Sequence, residues 1–175
     1  MEFWKARIGQ MDPTTTLLTP VHEYLSTSYT PDVDYLDGHL EERNVGTKAH
    51  GKMIRHIANL LEDCGLAAFI ETRLRINPTR FRVPDVCAYL SEPDEEVFTS
   101  PPLLCVEVLS PEDRMSKVVT LAKEYLAMGV PVVWVIDPVG RQAFTVAPLT
   151  GLYENTEGSL SAGEVHLSLN EIFGG

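Results

Sequence analysis

Apolar and polar positions along this chain follow two spacings, which predict where a helix gives way to strands. Apolar residues recur at helical spacing between His50 and Cys64, and Gly65 predicts the end of that helix. Alternation of apolar and polar residues then predicts a strand over residues 68–76, and residues 77–79 predict a turn into the next strand.

Two short apolar runs further along the chain each carry one carboxylate. Residues 82–90 contain Asp85 and residues 103–110 contain Glu107, and both runs predict β-strands. A carboxylate among apolar neighbours is costly to bury unless another group pairs with it. Two such carboxylates on successive strands could share one divalent cation, so the pattern predicts a metal site made by Asp85 and Glu107.

Each of these two side chains could also have a purely structural role. Asp85 follows a proline and could cap its strand through local hydrogen bonds. Glu107 could instead form a buried ion pair, with Arg82 or Arg73 as the candidate partner. In either case the carboxylate would stabilise the fold without binding a metal ion.

Turn and capping signals predict the remaining elements. Ser110, a proline and two acids predict the start of a helix that runs to Met128 and ends at Gly129. We also predict, in chain order, a helix over residues 20–25, a hairpin over 35–40, a surface loop over 91–102 and a strand over 131–136. Residues 143–147 and 151–153 predict short edge strands, and residues 165–173 predict a strand and a short terminal turn.

This order of elements predicts the fold class. A helix, three strands, a helix and a strand predict an α/β sandwich with a mixed sheet. The connection from the Glu107 strand through the next helix to residues 131–136 predicts a right-handed crossover between parallel strands.

Length and composition indicate one globular domain. The 175 residues are 44% hydrophobic and 22% charged, which suffices for one core. We predict a loose arm over residues 1–16, which show no periodicity, and a single domain over residues 17–175. No apolar run approaches the roughly 20 residues that a membrane span needs. The first seven residues lack the apolar core of a secretory signal.

The three cysteines are an odd number without CxxC spacing, and two of them lie in the apolar runs. We interpret Cys64, Cys87 and Cys105 as buried free thiols rather than as a disulfide or zinc set. Free thiols are typical of a reducing compartment, so a cytoplasmic location is expected.

The net charge of −11 argues against a surface that grips nucleic acid through its phosphates, because such binding relies on lysine and arginine. The same charge is compatible with a local cluster of acids that binds a metal ion.

Several motifs in one order resemble the Uma-two family of restriction-endonuclease-like proteins, in the PD-(D/E)XK nuclease superfamily. The resemblance covers roughly residues 17–140 and includes His50 at the start of the first long helix. The motifs are Tyr35-Leu36-Asp37-Gly38, Pro84-Asp85-Val86, Val106-Glu107-Val108-Leu109-Ser110-Pro111, Tyr125 with Gly129-Val130, and Trp134-Val135-Ile136-Asp137-Pro138.

The resemblance implies a fold, a reaction and a site. The fold is a restriction-endonuclease-like αβββαβ core, with a mixed central sheet flanked by helices. The reaction is hydrolysis of phosphodiester bonds in nucleic acid, with DNA as the expected substrate, by an endonuclease that depends on Mg²⁺ or Mn²⁺. Asp85 and Glu107 match the metal-binding acids, and a homodimer is expected by analogy with the fold.

The sequence departs from this family at the catalytic lysine. The superfamily places a lysine two residues after the glutamate, and the family places one four residues before Tyr125. These positions are Leu109 and Leu121 here. Lys117 lies one helical turn before Leu121 on the same face, so it is the candidate substitute, whereas Lys123 should point elsewhere.

Neighbouring polar residues have simpler interpretations. Glu71 is expected to be solvated or ion-paired, His50 to act as a structural hydrogen-bond donor, and Glu41 and Glu42 to be surface charges. For any of these a role at the metal site stays open.

The missing lysine and the acidic charge keep two other functions open. The chain could be a catalytically impaired nuclease fold that acts as a dimeric interaction module. It could also be a metal-assisted hydrolase of small phosphate esters, because an acidic surface tolerates a small substrate better than a long polyanion.

Overall fold

The computed structural model describes residues 18–44, 46–148, 151–156 and 158–174. The predicted arm over residues 1–16 lies outside the described residues, and the single domain over 17–175 stays a prediction. The helices are α1 (Val21–Ser26), α2 (Lys48–Asp63), α3 (Met115–Met128) and α4 (Leu169–Phe173). The strands are β1 (Asp34–Leu36), β2 (His39–Glu41), β3 (Ala67–Ile70), β4 (Leu74–Asn77), β5 (Arg80–Arg82), β6 (Val86–Tyr89), β7 (Leu104–Val108), β8 (Val132–Asp137), β9 (Gln142–Ala147), β10 (Gly151–Glu154), β11 (Ser159–Ala162) and β12 (Val165–Ser168).

A six-stranded mixed sheet forms the centre of the molecule, in the order β10-β9-β8-β7-β6-β3. The β7 and β8 strands are parallel and joined through α3, and their neighbours pair antiparallel. Along the chain, α2, β3, β6, β7, α3 and β8 give the predicted αβββαβ core. The fold class is therefore confirmed, with the β4–β5 hairpin inserted between β3 and β6.

Each face of this sheet buries apolar side chains against one long helix. Ile57 and Leu61 of α2 pack with Trp134 of β8 in one buried cluster. Val118 and Ala122 of α3 belong to the cluster on the other face. Trp134 has no exposed surface, so it is part of the core. The helical spacing in α2 thus reflects the burial of one helix face against the sheet.

The predicted strand over residues 68–76 is wrong as a single element. It divides into β3 of the central sheet and β4 of a separate four-stranded sheet, in the order β2-β1-β5-β4. Glu71 adopts a left-handed backbone conformation with φ of 49° between them. The chain turns there, which a period-two pattern alone does not reveal.

The predicted strand over residues 82–90 is divided as well. The β5 strand ends at Arg82 in the small sheet, and β6 begins at Val86 in the central sheet. Asp85 lies between these strands, directly after Pro84, and not inside a strand as predicted. Proline lacks the amide donor of a sheet ladder, which favours a break at this point.

The helix predicted to open behind Ser110 begins four residues later than its proline. Residues 110–114 form a turn in which the Asp113 amide donates to the Ser110 carbonyl at 2.9 Å. The Ser110 amide donates in turn to the Asp113 carboxylate at 2.6 Å. At the other end, Gly129 has φ of 114°, which confirms the predicted helix end.

Cys87 and Cys105 are buried free thiols, as predicted, but Cys64 is exposed at the end of α2. Burial raises the pKa of the Cys87 thiol to about 12. The β11 strand was not predicted, and β9 is an interior strand rather than an edge strand. Among the described helices, none has the length and apolar character that crossing a bilayer demands.

Candidate metal and phosphodiester site

A cleft opens where the loop after β2 and the start of α2 meet β6, β7 and α3. Its volume is about 80 Å³. Charged and polar groups form much of its wall, and the lining residues are Asp34, Glu42, Arg43, Asn44, His50, Val83, Asp85, Glu107, Val108, Leu109, Ser110, Asp113, Lys117, Val118 and Leu121. Both predicted metal-binding acids therefore face one cleft.

The pairing of β6 with β7 brings Asp85 to this cleft. Val86 of β6 is registered opposite Val106 of β7, so Asp85 lies beside the end of the Glu107 strand. The Val108 amide donates to Asp85 Oδ2 at 2.8 Å, and the side chain is only 5% exposed. This hydrogen bond comes from a neighbouring strand, so it is not the local strand cap that the sequence left open.

Arg43 is the partner of Asp85 that the sequence did not predict. Its Nη2 donates to Asp85 Oδ1 at 2.6 Å and its Nη1 to Glu71 Oε1 at 3.0 Å. Burial alone would lower the pKa of the guanidinium, but Asp85, Glu107 and Glu71 outweigh it and raise that pKa. Arg43 therefore remains charged inside the cleft.

The His50 imidazole contacts the second oxygen of the Asp85 carboxylate. Its Nε2 lies 3.3 Å from Asp85 Oδ2, and this hydrogen bond raises the pKa of the imidazole while burial opposes the shift. Gly46 allows the loop to approach the ring, because a Cβ at that position would lie 2.4 Å from His50 Nδ1. The predicted hydrogen-bonding role of His50 thus involves Asp85 itself.

Fewer polar partners compensate the buried carboxylate of Glu107 than that of Asp85. Its Oε1 accepts the Tyr125 hydroxyl at 2.8 Å. Within the described part of the chain its Oε2 has no hydrogen-bond donor. Burial, and next the charge of Asp85, raise the pKa of the Glu107 carboxyl well above its usual range, although Arg43 and Tyr125 act in the other direction. The two acids therefore crowd each other in a poorly solvated space.

The two leucines at the expected lysine positions do face this site. Leu109 and Leu121 both line the cleft, as does Lys117. The Lys117 side chain is 62% exposed, and its Nζ lies 2.8 Å from Glu41 Oε1. Glu41, which could have extended into the site, therefore forms an ion pair with Lys117 at the rim of the cleft. Lys123 is exposed and is not part of the cleft wall.

The two arginines considered as alternative ion-pair partners of Glu107 bind other acids instead. Arg82 donates to Asp34 at 2.8 Å and to Glu124 at 2.8 Å. Arg73 donates to Asp32 at 2.7 Å. Burial raises the pKa of Asp34, although the charge and hydrogen bond of Arg82 oppose that shift. The sequence gives no signal that singles out Asp34, because it is one of three aspartates within residues 32–37.

The donor set is compatible with a small hard cation. No group of three or more His, Cys, Asp and Glu side chains within the described residues has the arrangement of a metal site. Mg²⁺ requires fewer protein ligands than this, because it commonly keeps several waters and binds through one or two carboxylates. Asp85 and Glu107 supply that number, and a cation between them would relieve their repulsion.

Comparison with known proteins identifies the family and the fold of this chain. A family model described as "Putative restriction endonuclease" (Uma2) matches residues 21–175. The crystal structure of a "putative nuclease belonging to DUF820" from Anabaena variabilis is similar, with a TM-score of 0.75 and 20% identity over 87% of this chain and 96% of that chain. At this identity the likeness establishes the fold alone. No curated protein gives a match. The extent of the family match shows that the chain belongs to the Uma2 family, as its motifs predicted.

Proposed function

We propose that this protein is a metal-dependent endonuclease that hydrolyses phosphodiester bonds of nucleic acid, with DNA as the expected substrate. The observation that best supports this proposal is that Asp85 and Glu107 line the same cleft. Glu107 lies in β7, and Asp85 lies directly before β6, the strand paired with β7. The nearby charge of Asp85, together with burial, raises the pKa of Glu107. Fold and family are those of nucleases, and buried acids that lack compensation are typical of functional sites.

Asp85 and Glu107 would hold Mg²⁺ or Mn²⁺ between them. Such an ion polarises a phosphate and lowers the pKa of a bound water. The chain's own contribution is to fix the two carboxylates. The Val108 amide orients Asp85 from β7, and the Tyr125 hydroxyl orients Glu107 from α3.

Lys117 is the proposed substitute for the lysine that Leu109 and Leu121 do not supply. It projects from α3 at the cleft, and its exposed side chain is long enough to exchange Glu41 for a phosphate oxygen. A cation in this position would stabilise the charge that develops on the phosphate.

Calorimetric titration with Mn²⁺ tests the metal site directly. The parent protein is expected to bind, and Asp85→Ala and Glu107→Gln are expected to lose binding, since each removes one of two protein ligands. Glu42→Gln is the matched control, because it removes a carboxylate from the same cleft that makes no ion pair in the described structure. Binding that persists in both ligand variants would refute the assignment.

Plasmid nicking tests the reaction itself. Cleavage by the parent with Mg²⁺ or Mn²⁺, lost in Glu107→Gln, is the expected result. Lys117→Met should reduce the rate roughly 100-fold or more if Lys117 takes part in proton transfer or charge stabilisation. An unchanged rate in Lys117→Met would remove that residue from the mechanism without affecting the metal site.

A second candidate is an interaction protein that retains the fold and has lost catalysis. The observation in its favour is that Leu109 and Leu121 make the cleft wall apolar where a lysine is expected. This candidate predicts metal binding without cleavage of DNA, RNA or a chromogenic phosphodiester. Turnover of the chromogenic ester alone would instead favour a hydrolase of small phosphate esters.

A homodimer remains part of the proposal, and an edge of the central sheet is the surface that would form it. The apolar strand over residues 132–136 is interior to the sheet, so it offers no free surface. The β10 strand is a sheet edge and carries Tyr153, which is 44% exposed. Light scattering on the purified protein would decide between monomer and dimer.

A further inference from the structure

The cleft already contains one fixed cation, the guanidinium of Arg43. This side chain comes from the loop between β2 and α2 and is 16% exposed. It contacts Asp85 through one nitrogen and Glu71 through another. A positive charge therefore stands beside the two acids even though both expected lysine positions are leucine.

The contacts of Asp85 decide where another cation could bind to it. Oδ2 accepts the Val108 amide and lies beside His50, so Oδ1 is the oxygen on the side of Arg43. Arg43 Nη2 lies 2.6 Å from Oδ1. A magnesium ion would need to approach that oxygen to about 2.1 Å. Two positive charges a few ångströms apart in a poorly solvated cleft repel strongly, so Arg43 and a metal ion compete for that oxygen.

Glu71 offers a second anchor for the same guanidinium. Its carboxylate is 49% exposed, so it lies at the rim of the site rather than inside it. The Glu71 amide donates to the Asp85 carbonyl at 3.3 Å, which keeps the two acids adjacent. Arg43 can therefore leave Asp85 while it keeps an ion pair with Glu71.

We propose that Arg43 is the resident counter-ion of Asp85, and that a divalent cation binds this site by displacing Arg43 toward Glu71. This inference rests on the proposed function, in which Asp85 and Glu107 hold the cation. It makes Arg43 a residue that sets metal affinity. Arg43 therefore stabilises the site without a metal ion and weakens the binding of the metal ion.

Calorimetry with Mn²⁺ alone, without nucleic acid, tests this competition. Arg43→Gln is expected to bind Mn²⁺ at least about fivefold more tightly than the parent, which is the scale of a coupling between two ligands. Arg43→Lys keeps a charge but loses the paired nitrogens, so its affinity is expected to lie between those two. Arg80→Gln is the matched control, because Arg80 binds Asp37 and Glu124 outside the cleft.

Thermal unfolding gives an independent readout. In EDTA, Arg43→Gln is expected to unfold at a lower temperature than the parent, because Asp85 has lost its counter-ion. Saturating Mn²⁺ should raise its melting temperature by more than it raises that of the parent, since tighter binding to the folded state stabilises it more. If Arg43→Gln is too unstable to titrate, Arg43→Lys serves for both measurements.

The outcomes separate the two claims. If Asp85→Ala abolishes binding while Arg43→Gln and Arg43→Lys bind like the parent, the displacement is refuted and the metal site stands. If the parent binds no Mn²⁺ and the Arg43→Gln variant does bind it, the proposed displacement is strongly supported. Absence of binding in every protein would overturn both the inference and the metal site. If Arg80→Gln gains as much Mn²⁺ affinity as Arg43→Gln, the gain reflects the change in net charge alone, and the displacement of Arg43 is refuted.

Discussion

Two clusters of buried charge lie side by side in this protein and differ in how completely they are paired. In the first cluster, Arg82 binds both Asp34 and Glu124, and Asp34 also accepts the Val83 amide at 2.9 Å. In the second cluster, Asp85 and Glu107 face the cleft, and among the described residues Arg43 is the one guanidinium that forms an ion pair with either of them.

The difference appears in the groups that each acid contacts. Both oxygens of Asp34 have a donor from the chain. Glu107 has a neutral hydroxyl on one oxygen and the charge of Asp85 nearby. Burial raises the pKa of both Asp34 and Glu107, but only for Glu107 does a neighbouring acid rank directly behind burial as a cause. A fully paired cluster stabilises the fold, whereas an incompletely paired one gains from an added cation.

The largest expected effect comes from breaking the complete cluster. Arg82→Met leaves Asp34 buried without its counter-ion, so the free energy of unfolding should fall by about 3–5 kcal/mol. Urea denaturation of the purified variant measures the change. Arg80→Met is the control, since Arg80 is more exposed and its loss should cost less than about 1 kcal/mol. Equal stability in Arg82→Met and the parent would mean that the cluster adds nothing to the fold.

The comparison is sharpest when the same substitution is made in both clusters. Glu124→Gln removes a charged acceptor from Arg82 and Arg80, so it should lower the free energy of unfolding by about 2 kcal/mol. Glu107→Gln removes a carboxyl that burial and Asp85 already disfavour as a charge. It should therefore stabilise the protein by on the order of 1 kcal/mol in EDTA. Destabilisation by both would contradict the distinction between the clusters.

The smallest expected effect is at the exposed pair between the clusters. Lys117→Met should cost about 0.5 kcal/mol at pH 7, because the pair of Lys117 with Glu41 is largely solvated. The hydrogen bond from Lys117 lowers the pKa of Glu41, so this stabilisation exists above the ordinary glutamate pKa of 4.5. It is lost as the pH falls through the lowered pKa of the folded state. A deficit that stays constant from pH 7 to pH 3 in urea titrations would exclude this ion pair as its cause.

Much of the fold could be predicted because its signals are local. The amphipathic spacing from His50 to Cys64, the glycine behind each long helix and the apolar run around Glu107 each predict an element whose existence is confirmed. Two predicted strands each joined parts of both sheets, at Glu71 and at Asp85. There the chain passes from one sheet to the other, and alternation looks alike in both sheets.

The candidate site was predictable only in its acids. Glu107 is conspicuous because its neighbours are apolar, and Asp85 because it lies in a run of similar character. Arg43 could not be predicted, since it stands in a polar segment 42 residues from its partner Asp85. The same holds for Arg82, whose partners Asp34 and Glu124 are 48 and 42 residues away.

The sequence by itself determined the αβββαβ order, the family, and the two acids of the candidate site. Helical and strand periodicity depend on neighbours a few positions apart, so they can be read along the chain. Tertiary structure decided which cation faces which acid. It placed Arg82 in a complete network and left Glu107 with a single hydroxyl. An ion pair depends on distances between residues remote in sequence, and burial sets its strength, so neither follows from composition or spacing.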